Sequence, residues 1–138
     1  MIAFHMRASS RMKIGALYFE MNGFAINTGG WFFSGFGYKK AGNEWDLDWL
    51  ASWDAETEQY IRLEGMESVQ KAFAKLYRDE RQPLSLRIAE ELAEHLVTAR
   101  FMQLIAAAHR TAKRRYAGLK GLPVLATAHD WDDVHKSE

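Results

Sequence analysis

Apolar and polar residues alternate along Glu44 to Asp54, EWDLDWLASWD. Trp45, Leu47, Trp49, Ala51 and Trp53 take one side of the pattern. Asp46, Asp48, Ser52 and Asp54 take the other, with Leu50 the single exception. Strand side chains point to opposite faces in turn, so this period of two predicts a half-buried strand with an aromatic inner face and an acidic outer face. Lys13 to Glu20 and Trp31 to Lys40 read as further strands, the second interrupted by Gly35 and Gly37. Asn22-Gly23 is a hairpin signal, which makes Phe24 to Asn27 a return strand. Gln59 to Leu63 reads as a short fifth strand and Val124 to Ala128 as a last one. The short connections favour an antiparallel meander.

The period changes after residue 65. Met66, Val69, Ala72, Phe73, Leu76 and Tyr77 share one face of a helix over Met66 to Glu80, which Pro83 stops. Ile88, Leu92, His95 or Leu96, Ala99, Met102, Ile105, His109 and Ala112 continue as a stripe. It fits one helix over 86–116 or two helices with a kink near Val97-Thr98. Gly118, Gly121 and Pro123 close the helical region. Strands followed by helices predict an α+β domain over residues 13–128, with a sheet of four to six antiparallel strands covered on its tryptophan face by two or three helices. Residues 1–12 read as a loose lead and 129–138 as a polar tail.

Composition narrows the class. Of 18 aromatics, 13 lie in residues 1–60, so the aromatic material belongs to the sheet. The 18 basic and 18 acidic residues balance, so no overall field points to nucleic acid or an anionic membrane. The chain has no cysteine, which excludes disulfides, thiol catalysis and thiolate metal sites and suits a reducing, cytoplasmic setting. No apolar run reaches the roughly 20 residues that span a bilayer.

Four groups of residues carry candidate chemistry. Asp46, Asp48, Asp54 and Glu56 form an acidic face, better suited to docking a basic protein partner than to catalysis, since nothing in the sequence buries a carboxylate pair. Trp31, Phe33, Tyr38 and Trp49 are the residues that would line an aromatic cavity. Arg110, Lys113, Arg114 and Arg115, within a basic segment 109–120, are the candidate phosphate contacts, against the plainer reading of cations at a helix C-terminus. His129 to His135 holds two histidines and three aspartates, but its spacing matches no known ligand motif. No metal, cofactor or catalytic set is expected, because glycine-rich phosphate loops and nucleophile elbows are both missing.

No family is identified. In kind, the small size, the aromatic sheet and the opposed acidic and basic patches resemble small bacterial partner proteins, among them the immunity proteins that neutralise secreted toxins. The function expected first is therefore non-catalytic protein binding through the acidic face. The alternatives are a small-ligand pocket protein or enzyme, then nucleic-acid binding through 109–120. A homodimer is expected in each case, because the long helix is apolar on more than one side near Phe101 to Ala108.

Overall fold

Two parallel strands form the middle of the sheet, β1 (Ala16–Met21) and β5 (Val124–Ala128), in register from Leu17↔Val124 to Met21↔Ala128. The computed structural model describes residues 1–24, 29–43, 46–78, 82–129, 131 and 134–137. Among these, β2 (Phe32–Tyr38) pairs antiparallel with the other edge of β1, and β6 (His135–Ser137) pairs antiparallel with β5. Two two-residue strands, β3 (Ala55–Glu56) and β4 (Ile61–Arg62), complete the far edge of β2. The class is α+β, and the six-stranded sheet is mixed rather than purely antiparallel. The reason is the crossover. α2 (Glu67–Leu76) and the 32-residue α3 (Leu84–Arg115) intervene between β4 and β5. A connection of that length lets the chain re-enter the sheet in the parallel sense.

The pleat splits the core in two. Leu17, Phe19, Met21, Val124, Ala126 and Ala128 face the helices and meet Val97, Phe101 and Ile105 of α3. Trp31 is fully buried beside Phe24 and Phe73, with ring centroids 5.1 and 5.3 Å away. The described side chains on this side form one buried cluster. Ala16, Tyr18, Tyr38 and Leu125 face the other way, where Ala41, Trp49, Leu50 and Val134 cover them. Gly35 stands opposite Phe19, and a Cβ on it would lie 2.8 Å from that ring.

Several expectations are corrected. Asp48–Ala51 forms a 3₁₀ turn where a strand was predicted over Glu44 to Asp54, and Glu44 and Trp45 lie outside the described residues. The aspartates are the cause: the Asp46 carboxylate accepts a hydrogen bond from the Asp48 N–H at 3.1 Å, a local turn that competes with pairing. Trp49 and Trp53 consequently do not lie over the helices. Phe24 turns into the core instead of opening a return strand, and residues 25–28 lie outside the described residues. The predicted loose lead contains α1 (Ile2–Ser9), held by Phe4 and Ala8 in the core. The predicted polar tail contains β6, whose Ser137 is buried. α3 is one helix, but its burial begins only at Val97, so Ile88, Leu92 and Leu96 of the predicted stripe are exposed.

Candidate functional site

At the carboxyl ends of β1 and β5 the chain leaves in opposite directions, from β1 toward β2 and from β5 toward β6. In open sheets with parallel neighbours, such a switch point leaves a crevice at the strand ends. Three polar side chains meet here on the face away from the helices. Tyr18 and Glu20 are two apart on β1 and so share that face, and His129 follows the last residue of β5. The His129 N–H donates to the Met21 carbonyl at 2.8 Å, which carries the parallel pairing one residue past the strand and fixes the root of the side chain.

Glu20 uses both carboxylate oxygens. Oε2 accepts from the Tyr18 hydroxyl at 2.9 Å, and Oε1 accepts from His129 Nδ1–H at 2.6 Å. With Glu20 ionised, the hydrogen of a neutral His129 ring is placed on Nδ1. Burial, and then the charge of Glu20, push the Tyr18 phenol well above its ordinary range, so it acts as a donor and not as a base. The carboxylate is thus held by its neighbours while the imidazole remains half exposed, at 51% of its side chain. Such an arrangement presents a fixed carboxylate and a half-exposed imidazole side by side to a molecule bound against this face.

Two hollows flank this network. One, of about 450 Å³, is lined by Tyr18, Glu20, Thr127, His129 and Trp131, with Leu47, Leu50 and Val134 on its far side. The other, of about 330 Å³, is lined by Glu20, Asn22, Ser34, Glu56 and His129 together with Phe32, Phe36, Trp53 and Tyr60. Glu20 and His129 belong to both walls. The floor is shaped locally. Asn22 accepts from the Phe32 N–H at 2.7 Å and holds the end of β1 against β2. Tyr38 donates to the Leu50 carbonyl at 2.8 Å and Trp49 Nε1 donates to the Asn43 carbonyl, which tie Asn43, Trp49 and Leu50 over the opposite end of the same face. Trp131 packs edge-on against His95 of α3, with centroids 4.3 Å apart.

The residues singled out from sequence are distributed differently. Asp46 and Asp48 lie on the 3₁₀ loop, Asp54 pairs with Lys39 at 2.8 Å, and Glu56 is on β3 beside the second hollow. Hydrogen bonds from Lys39 hold the Asp54 carboxyl below its usual range. The four acids therefore do not share a strand face. Trp31 and Phe33 belong to the helix-side core, Tyr38 and Trp49 to the outer cluster, so these four line no common cavity. Lys113, Arg114 and Arg115 occupy the last turn of α3, with Arg110 one turn earlier. Asp130, Asp132 and Asp133 of the His129–His135 cluster lie outside the described residues. Among the described residues no group of three His, Asp or Glu is placed to hold a metal, and no helix is long and apolar enough to cross a membrane.

His109 has a structural role. It is fully buried, Nε2–H donating to the Leu119 carbonyl at 3.3 Å and Nδ1 accepting from the Ser137 hydroxyl at 3.1 Å. It joins α3 to β6 and to the turn before β5. Burial lowers its pKa.

Sequence reasoning missed the Tyr18–Glu20–His129 network. One signal was present: Glu20 is the sole charged residue of the otherwise apolar stretch Ile14 to Met21. A charge on a half-buried strand is held there by partners, but the partner lies 109 positions away. Comparison of the chain with family models, with curated proteins and with solved structures finds no match.

Proposed function

We propose that the chain binds a small organic molecule on its outer sheet face, at the paired carboxyl ends of β1 and β5. The observation that carries this reading is the Tyr18–Glu20–His129 network opening on hollows of about 450 and 330 Å³ that share Glu20 and His129. These volumes fall in the range of ligand sites, and a few convergent polar groups among apolar walls is the usual composition of such sites. The described side chains on the helix side pack into one core, whereas both of these hollows lie on the outer face. Docking of a basic protein on Asp46, Asp48, Asp54 and Glu56 has weaker support, because the acids are dispersed and Lys39 already pairs with Asp54.

The test is a thermal-shift screen of the full chain against a metabolite library, repeated with Glu20→Gln and His129→Ala. A true ligand at ten times its Kd adds roughly 1.4 kcal/mol, which raises Tm by about 3–6 °C in a chain of this size. The upshift should shrink in both variants. Hits that shift the variants as strongly as the wild type would place binding elsewhere.

One observation favours a second surface. Leu84, Ile88, Leu92 and Leu96 recur every fourth residue on α3 and are all exposed. This stripe lies where the helix extends beyond its packed half, which begins at Val97. Antiparallel pairing with the same helix of a second copy would cover both stripes at once, since a two-fold interface uses one patch twice. Light scattering across a concentration series tests it.

A further inference from the structure

The second hollow has walls of a particular chemistry. Phe32 and Tyr60 lie with ring centroids 4.4 Å apart, and Phe36 and Trp53 4.8 Å apart. Trp53 and Tyr60 are nevertheless 48% and 68% exposed, so each is fixed on one side by an inner ring and open to solvent on the other. Two carboxylates share the lining, Glu20 and Glu56, and no described lysine or arginine does. Glu56 stands directly across from Phe36 in the β2–β3 register and hence on the same face. Glu20 is already engaged by Tyr18 and His129. Among the described residues Glu56 has no ion pair: the Arg7 guanidinium across the neighbouring cleft is bonded to Glu58 at 3.0 Å. His129 is bonded to Glu20, and Arg62 stands opposite Phe32 at the rim; the rest of the wall, four aromatic rings and the Glu56 carboxylate, is of one electrostatic sign. Ring faces carry negative potential, and a cation with apolar substituents satisfies both the rings and the acid. A neutral polyol would satisfy the acids and stack its C–H groups on the rings, but it carries no net charge for Glu56 and the ring faces to attract together.

Resting on the ligand-binding reading above, we infer that this hollow takes an alkylated ammonium group, with the cation against Trp53, Tyr60 and Phe36 and its charge met by Glu56. The first hollow, lined by Tyr18, Thr127 and the shared Glu20 and His129, accommodates the polar remainder of the same molecule.

The experiment is a calorimetric or NMR titration of the full chain with choline, run beside its uncharged isostere 3,3-dimethylbutan-1-ol at constant ionic strength. Trp53→Ala and Glu56→Gln are titrated in parallel, both at exposed positions, with Tm recorded to establish that each variant is folded. The wild type should bind choline saturably and the isostere about tenfold more weakly, and each substitution should weaken choline binding about three- to tenfold. Equal affinity for the isostere, unchanged affinity in folded Trp53→Ala, or no saturable binding of choline at millimolar concentration each overturns the inference. The two levels of the account separate cleanly. If choline fails while a neutral or anionic compound from the library binds in a Glu20- and His129-dependent way, the groove stands and the cation assignment falls. If neither class binds, both fall.

Discussion

Gly35→Ala tests the packing that sets the position of the outer face. A Cβ built on Gly35 lies 2.8 Å from Phe19 Cε1, 3.1 Å from Phe19 Cδ1 and 3.1 Å from Thr57 Cγ2. Carbon atoms are comfortable at about 3.5–4.0 Å, so at least one neighbour must yield by several tenths of an ångström. Phe19 is 1% exposed and backed by Phe33, and Thr57 accepts the Gly35 N–H at 3.2 Å, so either movement has a cost. Overpacking of this kind costs about 1–3 kcal/mol, and restricting the unfolded chain returns about 0.4–1, for a net loss of about 1–2 kcal/mol. Gly37, two residues on and on the same face, is the control. Its added Cβ meets Ala55, Ile14 and Phe4 at 3.6 Å, an ordinary contact. Gly37→Ala should be neutral or slightly stabilising. Urea unfolding reads the difference: the Gly35→Ala midpoint should fall by about 0.5–1 M at unchanged slope, while that of Gly37→Ala holds or rises. If Gly35→Ala matches wild type, or Gly37→Ala is the more damaging, the β1–β2 register and the assignment of faces are wrong.

His109→Ala, which leaves a cavity and orphans the Ser137 hydroxyl and the Leu119 carbonyl, should cost about 2–4 kcal/mol by the same assay. The pH dependence follows from the lowered pKa of His109, and of His5, both caused by burial. As pH falls below the ordinary value of 6.5, the unfolded chain takes up protons first. Stability is therefore full above that value and declines as pH drops toward the folded pKa, and His109→Ala should flatten the slope. Tyr18→Phe removes the hydroxyl that holds Glu20 and should cost about 1–2 kcal/mol, with ligand affinity falling alongside. Leu92→Glu should abolish self-association in light scattering without lowering Tm, and a variant that still self-associates would rule out the α3 stripe.

How much was legible depends on whether a signal was local. β1, β2, β5 and the two main helices are written in runs of apolar spacing, and the α+β class follows from their order. Val124 to Ala128 was read as a strand but not as a central one, because a partner in register with β1 is set by the length of α3 rather than by anything in VLATA. The Trp-rich segment misled for a physical reason. Its alternation is real, but aspartates at 46 and 48 offer the backbone a turn, and the apolar positions at 47 and 49 do not outweigh that. The stripe on α3 is continuous in the sequence, but only its second half is buried. Periodicity says which residues share a side of a helix and nothing about where the sheet beneath it ends. The site was the least legible part. Glu56 was noticed for its charge, and His129 for its neighbours, yet the fold sets each against a residue distant in sequence. Only the pairing of β1 with β5 brings Glu20 to His129, and only β3 against β2 sets Glu56 opposite Phe36.

The most direct test of the central claim is a protein-observed NMR screen of the isotopically labelled full chain against a small fragment library. The account predicts that binding fragments perturb the amides of Tyr18, Glu20, Thr127 and His129 and the Trp53 indole, with cations prominent among the hits. Perturbations confined to the 46–48 loop, to the end of α3 near Arg110 to Arg115, or to the helix-side core would contradict it.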